Sequence, residues 1–288
     1  MTDQRLLALY GLKYNPFLPT IPVEDLWRPP ELELFLMRLE VLLRHGGFAT
    51  IEGEVGQGKS KALHTVAAHL QQLGDVVVGV MERPQSSLSD FYRELGDLFG
   101  VNLSPANRYG GFKALRARWR THIKGTLFRP ILLIDEAQEA CSTSLNELRL
   151  LGSAHFDSEC LLTTILCGDS RLSDRFRSRD LLPLGSRIRT RLRISALAPN
   201  ELRGFLEHIL ERAGAPQLVT DPLKDALCDH AAGNLRVLTN MGQELLTAAA
   251  QRELPTLDEK LFFDVFSLNP KPKRSPRTTT NRPQENRP

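Results

Sequence analysis

The sequence predicts an α/β fold in which a parallel sheet lies between helices, followed by a smaller domain built from helices alone. Three observations predict it. Short apolar segments alternate with helical ones across residues 31–197, a glycine-rich turn at residues 53–60 joins a strand to a helix, and residues 198–266 have helical periodicity throughout. We therefore divide the chain into an N-terminal segment (1–30), an α/β domain (31–197), a helical lid domain (198–268) and a tail (269–288).

Composition sets broad limits on the class of protein. The chain has 288 residues, of which 41% are hydrophobic and 25% are charged, as in ordinary globular proteins. No apolar run approaches the roughly 18 residues that cross a bilayer, and the N-terminus lacks the apolar core of a signal peptide. We expect a cytoplasmic protein without membrane contact. The four cysteines lack metal-binding spacing, so we expect reduced thiols.

Positive charge is concentrated in the tail. Residues 269–288 carry six Lys or Arg and one acid, a net charge of +5, whereas the other 268 residues sum to −2. The tail is also rich in proline and threonine, so we expect it to be disordered and to bind DNA or a protein partner.

The N-terminal segment contains five prolines and is predicted to form a short helix at residues 3–10 followed by extended chain. Asn15 and Phe17 precede the first strand and are candidates for contact with a nucleotide base. The alternative is a strap that covers the sheet. Apolar residues at helical spacing then predict a helix at 31–45, which ends at a pair of glycines.

The glycine-rich turn fits the pattern G-x-x-x-x-G-K-[ST], between a β-branched strand at residues 48–52 and a helix at 60–73. Glycines let several backbone N–H groups point at one phosphate, and the helix adds its positive end. Lys59 supplies a charge to the phosphates and Ser60 a ligand to Mg²⁺. The residues that we assign to nucleotide binding here are Gly53, Glu54, Val55, Gly56, Gln57, Gly58, Lys59, Ser60 and Lys61.

The segment at residues 130–138, PILLIDEAQ, has four apolar residues that lead into two acids. A buried parallel strand with acids at its carboxyl end is where a P-loop enzyme holds its metal and its water. Asp135 would bind Mg²⁺, and Glu136 would orient and deprotonate the attacking water. The position about 75 residues after the P-loop strengthens this interpretation.

Further strands are predicted at residues 76–81 and 161–167, and further helices at 86–99, 112–124 and 144–151. Asp169 follows the strand at 161–167, where a polar side chain could touch the γ-phosphate or its water; Thr163 and Thr164 are alternatives. A simple helix-capping role for Asp169 stays equally open.

Two basic segments stand out. On the helix at 112–124, a turn-aligned row shares one face, and it either contacts DNA or is only solvated. The row consists of Lys113, Arg116, Arg120 and Lys124. Residues 171–193 contain eight arginines, the last four alternating along a predicted edge strand at 187–193. These could reach a neighbour's phosphate or a nucleic-acid backbone, or simply charge an exposed edge.

The lid domain is predicted to contain helices at residues 201–213, 222–232, 235–251 and 258–266. Gly233 and Asn234 separate the second helix from the third, and Arg236 stands at the start of the third, facing away from the core of the lid.

Taken together, the motifs GEVGQGKS, ILLIDEAQ, LCGDSRL, LGSRIRTRLR and AAGNLRVL resemble those of AAA+ ATPases, over residues 10–266. The opening YGLKYNPF, the DEAQ box and the G-x-x-x-L after the fourth strand resemble most the group that contains the ExeA secretion ATPase and the transposition regulators TnsC, IstB and the phage Mu B protein.

The resemblance implies a five-stranded parallel sheet of order 5-1-4-3-2 and a helical lid. It places Walker A on residues 53–60, Walker B on Asp135 and Glu136, and sensor one on Asp169, where many relatives have Asn, Thr or Gln. It places sensor two on Arg236. An arginine finger that acts on the neighbouring subunit would come from Arg187, Arg189 or Arg191, of which we favour Arg187.

The function that the resemblance implies is a Mg²⁺- and ATP-dependent regulator of DNA transposition. ATP would assemble a homo-oligomeric ring or filament on duplex DNA, the oligomer would recruit a transposase and possibly a target-selection protein, and hydrolysis would disassemble it. One alternative is an ExeA-like ATPase of secretion or envelope assembly, ranked second because those relatives continue beyond the lid. A second alternative is a replication-type loader or initiator, which would normally carry a further DNA-binding domain. A third is a signalling switch that hydrolyses nucleotide slowly and works by binding alone.

Overall fold

The computed structural model describes residues 3–84, 87–103 and 107–266. Five strands form one parallel sheet: β1 (Gly47–Gly53), β2 (Val78–Met81), β3 (Ile131–Ile134), β6 (Thr163–Gly168) and β7 (Ile188–Ile194). Their order is β2-β3-β6-β1-β7. Counted among these five strands alone, this is the order 5-1-4-3-2 read from the β7 edge, and the α/β fold class is confirmed.

One further structural feature has no counterpart among the predicted elements. Two short antiparallel strands, β4 (Ser153–Ala154) and β5 (Glu159–Cys160), form a hairpin between β3 and β6. Three consecutive residues of its turn, His155, Phe156 and Asp157, have positive φ. Two-residue strands show no alternation of apolar and polar residues, so periodicity could not reveal them.

Helices cover both faces of the sheet. On one face lie α2 (Pro30–His45) and α3 (Lys59–Gln72), and on the other α4 (Leu88–Phe99), α5 (Arg108–Thr126), α6 (Ser142–Gly152) and α7 (Ser170–Arg177). Ile131 and Leu133 face the first layer, and Leu132 and Ile134 the second. A strand buried on both sides has to be apolar at every position, which is why β3 is a continuous apolar run.

The lid contains α9 (Pro199–Ala213), α10 (Asp221–Ala231), α11 (Leu235–Gln251) and α12 (Glu259–Phe266). The short helix α8 (Leu182–Gly185) is not part of the lid and precedes β7 in the chain. The N-terminal segment, with α1 (Asp3–Tyr10), packs against the lid. Leu6, Leu12 and Phe17 belong to the same core cluster as the lid helices. The expectation of a strap over the sheet is therefore wrong, because these apolar groups fill the core of the lid instead.

Observed boundaries follow the predicted ones within a few residues, and α11 has the predicted limits. Ser87 is the N-cap of α4, accepting a hydrogen bond from the Asp90 N–H.

The tail lies outside the described residues, so its disorder and its partner stay predictions. Among the helices in the described ranges, none combines the length and apolar character that a bilayer crossing requires.

Candidate nucleotide-binding site

The P-loop occupies the turn between β1 and α3. Gly58 caps α3, and Gly56 has φ of 85°, which an L side chain adopts only under strain. The Glu54 N–H donates to Gln57 Oε1 at 2.7 Å, closing the turn on itself. The 14-residue helix α3 begins at Lys59 and so points its N-terminal N–H groups toward this turn.

Lys59 fits a site for phosphate. Its side chain is only 8% exposed, and Nζ donates to the Glu54 carbonyl across the loop at 3.1 Å. A buried ammonium needs a stronger partner than one carbonyl, and phosphate oxygens supply it. Ser60, next in the chain, is exposed at the mouth of the turn and can serve as a Mg²⁺ ligand.

Asp135 lies at the end of β3, two strands away from β1, so about 10 Å separates the two strand ends. The Asp135 N–H donates to the Met81 carbonyl, and its Oδ1 accepts from the Glu136 N–H at 2.9 Å. Glu136 is exposed and has a left-handed backbone with φ of 48°. Mg²⁺ prefers a few carboxylate or hydroxyl ligands beside phosphate oxygens, and Ser60 with Asp135 provides them.

Buried Cys167 lies within electrostatic range of both Asp135 and Lys59. Burial raises the pKa of its thiol, Asp135 raises it further, and Lys59 acts in the opposite direction. Cys167 lies on β6, between β3 and β1, directly beside Ile51. The sheet thus brings the acidic pair and the P-loop lysine, which are 76 residues apart in the chain, to one edge.

Asp169 caps α7. Its Oδ1 accepts from the Arg171 N–H at 3.0 Å, and its carboxylate pairs with the Arg171 guanidinium, which holds the pKa of Asp169 below its usual range. Because its charge is already neutralised and its lone pairs are used, the capping alternative describes it better than a catalytic role. Thr163 and Thr164 pair with Gly47 and Phe48 at the opposite end of the sheet, which excludes them as contacts of the γ-phosphate.

The lid is fastened to the P-loop at the start of α11. Asn234 caps this helix by accepting from the N–H groups of Arg236 and Val237, and its Nδ2 donates to the Val55 carbonyl at 3.1 Å. The Arg236 N–H also donates to the Gly56 carbonyl at 3.1 Å. The guanidinium-bearing residue Arg236 is exposed at this junction, in keeping with its predicted position at the helix start.

Gly56 and Asn234 form a close steric pair, which yields a testable prediction. A Cβ on Gly56 would lie 2.8 Å from Asn234 Nδ2 and 2.9 Å from Cγ, too close for van der Waals contact. Gly56→Ala should therefore destabilise the protein by about 2–3 kcal/mol, from the clash and from the positive φ. Asn234→Ala should cost about 1 kcal/mol through the lost cap.

The two changes should not add. In Asn234→Ala protein the clash is absent, so Gly56→Ala should cost only the backbone strain, about 1–2 kcal/mol. Urea denaturation of the unmodified protein, the two single variants and the double variant measures the free energies of unfolding for this cycle. Strict additivity of the two free-energy changes would mean that the lid does not rest on the P-loop.

The arginines of β7 lie away from the P-loop of their own chain. Arg187 precedes β7 and pairs with Asp157 of the hairpin turn, and Arg189 is exposed beside Gly47. Gly47 and Gly53 are the two ends of β1, so about 20 Å of sheet separates these arginines from their own phosphate site. Either arginine could act only on another molecule.

Arg191 behaves differently. Its Nη1 lies 3.5 Å from Oε1 of Glu52, a carboxylate that is only 6% exposed and also accepts from Thr50 and Ser173. Removing Arg191 would leave a buried charge with weaker compensation. Arg191 is therefore a structural partner of Glu52, and it is removed from the candidates for the finger.

Three other predicted nucleotide contacts have protein partners instead. Phe17 is 4% exposed and its ring packs on Gly242, and Asn15 donates to Gln243 at 2.7 Å. Lys61 donates to the Pro19 carbonyl, and burial lowers its pKa. These side chains join the N-terminal segment to the lid and to α3, so the partners that the structure shows for them are protein groups.

The basic row on α5 is not uniform. Arg116 donates to the carbonyls of Leu150, Leu151 and Ser153, so it fastens α5 to α6 and the hairpin and is not free for a phosphate. Lys113 lies over the Tyr109 ring, 4.4 Å from its centroid, while Arg120 and Lys124 are exposed. The row predicted for DNA binding is thus reduced to three available cations.

The arrangement of sheet and lid is shared with solved structures. The Drosophila ORC bound to DNA aligns with a TM-score of 0.70 at 16% identity, covering 93% of this chain and 67% of that one. The Aeropyrum pernix ORC2 protein in its ADP form aligns with a TM-score of 0.65 at 17% identity, covering 91% and 72%. Domain III of the Thermotoga maritima replication initiation protein DnaA gives 0.57 at 17% identity, covering 86% and 96%.

The chain has the AAA+ P-loop ATPase fold. The sequence of residues 42–176 independently matches a family described as an AAA domain. This segment includes the P-loop, Asp135 and Glu136, and it ends within α7.

A similar curated protein is the General secretion pathway protein A of Aeromonas hydrophila. It is 28% identical over 200 residues, which are 68% of this chain and 36% of that protein. The chain therefore spans about a third of the length of the relative that it matches.

Sequence reasoning missed Glu52, Gln138 and Asn234 as parts of the site. The Gly-Asn pair before α11 is a recognisable helix-cap signal and could have identified Asn234. Gln138 belongs to the DEAQ box, but that motif did not indicate its partner, and Glu52 carries no such signal. Their partners come from β7, α7 and the β6–α7 turn.

Proposed function

We propose that this chain is an ATPase that binds ATP with Mg²⁺ and hydrolyses it. Lys59 and the N-terminus of α3 would hold the β- and γ-phosphates, and Ser60 and Asp135 would hold the metal, which neutralises charge that develops on the phosphates. The observation that carries the proposal is the convergence of the P-loop and the acidic pair at one sheet edge, with Lys59 buried at the start of α3.

Glu136 would accept the proton of the attacking water. Its carboxylate is exposed at the end of β3, so it can face a water without the cost of burying the charge. The transition state of phosphoryl transfer is loose and its charge is spread over the oxygens, so positioning and nearby cations supply most of the acceleration. Besides Lys59, the same chain places Arg236 at the P-loop junction, and a further cation would come from the neighbouring subunit.

The neighbour's Arg187 is our first candidate for that cation and Arg189 the second. Arg187→Ala should lower turnover at least about tenfold at saturating ATP, with ATP affinity unchanged, because the group acts only on the transition state. Steady-state hydrolysis and equilibrium ATP binding measure the two effects. Arg191→Ala, the matched control on the same strand, should instead lower thermal stability, since it weakens the compensation of Glu52.

Mixing separates action across subunits from action within one. Arg187→Ala protein keeps Glu136, and Glu136→Gln protein keeps Arg187, so mixed oligomers should regain part of the turnover that each lacks alone. If turnover recovers when Glu136→Gln protein is mixed with Arg189→Ala protein, but not when it is mixed with Arg187→Ala protein, the role belongs to Arg189. Mixtures that stay as inactive as their components in both cases would refute the trans model.

The simplest test of the proposed function uses unmodified protein. It should hydrolyse ATP in a Mg²⁺-dependent reaction, and its size by light scattering should increase with ATP relative to ADP. A preparation that neither retains ATP nor hydrolyses it would contradict the proposal directly.

Among the cellular processes in which this ATPase would act, secretion or envelope assembly is the first candidate, because the curated relative is a general secretion pathway protein. Replication-type remodelling is supported by the shared fold alone. Regulation of transposition, with a transposase and a target-selection protein as partners, rests on the motif resemblance and on the exposed cations of α5 and β7.

Duplex DNA separates these candidates. If DNA is the partner, binding should require ATP and weaken steeply with salt, because Lys and Arg contacts to phosphates release counterions. Lys113, Arg120 and Lys124 changed together to Ala should then weaken binding, whereas Arg116→Ala should chiefly destabilise α5. Absence of ATP-dependent DNA binding at low salt would leave the secretion candidate in first place.

A further inference from the structure

We propose that Gln138 is a positioning residue for Glu136 and ties the orientation of that carboxylate to the start of α7. This inference rests on the proposed ATPase function. Gln138 lies two residues after Glu136, in the 3-10 turn Ala137–Glu139, and is 6% exposed. It thus adjoins the carboxylate proposed as the general base and has little access to solvent.

Both ends of the Gln138 amide are engaged. Nε2 donates to Oε2 of Glu136, and Oε1 accepts from the Asp169 N–H at 3.2 Å. A single planar amide therefore connects the acid after β3 to the first residue after β6. Because the two contacts share one rigid group, a displacement of the β6–α7 turn moves the donor that holds Glu136.

The socket for this amide is built by its neighbours. A Cβ on Gly168 would overlap Gln138 Oε1 and would lie 3.1 Å from Leu172 Cδ2, so only glycine leaves room for the amide. On the other side, Arg175 of α7 donates to the Gln138 carbonyl at 2.5 Å and to Ser142 Oγ at 3.3 Å. Gln138 is fixed by side chain and backbone to the same helix.

The amide of Gln138 matters for Glu136, because no other hydrogen bond in the described residues holds the Glu136 side chain. Its backbone is left-handed and its side chain is exposed, so many carboxylate orientations are open to it in the absence of a partner. Only a carboxylate aimed at the attacking water can take its proton, and small misplacements are costly to catalysis. The Gln138 N–H selects one orientation in advance.

The contact also links two sites. α7 leads through α8 to Arg187, the residue proposed to act on the neighbouring subunit. Gln138 thereby stands between the acid that works on the chain's own nucleotide and the segment that serves the next molecule.

Gln138→Glu gives a sharp test, because an oxygen can still accept from the Asp169 N–H while the donor to Glu136 is lost. We expect kcat to fall about 10- to 100-fold, with KM for ATP and the Kd for an ATP analogue within about threefold of the unmodified protein. The melting temperature should fall, because the new carboxylate is buried and faces the carboxylate of Glu136. Gln138→Met, which loses both contacts, should lower kcat and also the melting temperature.

Gly168→Ala offers an independent approach, since its methyl group would displace the amide without altering any polar group. It should reproduce the loss of kcat. Gly204→Ala is the matched control: nothing lies within 4 Å of a Cβ there, so activity should not change.

Wild-type kcat in both Gln138→Glu and Gly168→Ala would overturn the assignment, and so would equal losses of kcat and ATP affinity. Failure of the proposed function looks different, because unmodified protein would then hydrolyse ATP no faster than Lys59→Ala protein.

Discussion

Glu136→Gln is expected to lower the rate of ATP hydrolysis by about 10²- to 10⁴-fold while ATP still binds. Glutamine has the shape of glutamate but cannot accept the proton of the attacking water. It removes a negative charge close to the γ-phosphate as well, so ATP affinity should be unchanged or higher. The assembled, ATP-bound state should consequently accumulate, and light scattering at saturating ATP together with phosphate release measures both effects.

The matched control is Glu139→Gln, the same substitution three residues further on. Glu139 is exposed and pairs with Arg171 at 2.8 Å, a surface ion pair of small energetic weight. Its turnover should stay within about twofold of the unmodified protein. Turnover by Glu136→Gln at a comparable rate, or complete dissociation of that variant at saturating ATP, would contradict the role given to Glu136.

Lys59→Ala is expected to weaken ATP binding by about 100-fold or more. Charge-assisted hydrogen bonds contribute about 1.5–3 kcal/mol each, and Lys59 would make two, one to each of the terminal phosphates. Its burial strengthens them, because less water competes for the ammonium. Equilibrium binding of a fluorescent ATP analogue measures the change, and ATP-dependent assembly should be lost with it.

Lys61→Ala controls for charge and for helix α3. Lys61 stands two residues later, but its ammonium donates to the Pro19 carbonyl, so its removal should leave ATP affinity within about threefold. A loss of affinity equal to that of Lys59→Ala would place Lys61 on the phosphate, as its position beside the P-loop motif first suggested. Unchanged assembly by Lys59→Ala protein would refute nucleotide-driven association.

Local patterns were sufficient to predict most of the elements. Helix α11 has the predicted limits because its apolar positions repeat every three or four residues between a Gly-Asn start and a polar end. Strand β3 was predicted because burial on both faces requires an unbroken apolar run. The β4–β5 hairpin was missed because it is too short for any period.

Side-chain roles were harder to predict where a residue had two possible partners. Arg116 and Lys113 share a helix face, yet Arg116 meets the carbonyls at the end of α6 and Lys113 meets an aromatic ring. Asp169 follows a buried strand as a sensor residue would, but Arg171 two residues later takes up its charge. Spacing along the chain gives the face of a helix or the end of a strand, and not the group that lies opposite.

The sequence by itself determined the P-loop, the acidic strand end and the order in which strands and helices follow one another, because each depends on residues close together in the chain. Only the tertiary structure decided that the N-terminal segment completes the lid, that Asn234 rests on Gly56, that Arg191 serves Glu52, and that one amide joins Glu136 to Asp169. Those pairings unite residues as far apart in the chain as Tyr10 and Leu254, which are separated by 244 positions. Their choice depends on which surfaces the packed sheet and lid bring into contact, a property of the whole chain that no local pattern encodes.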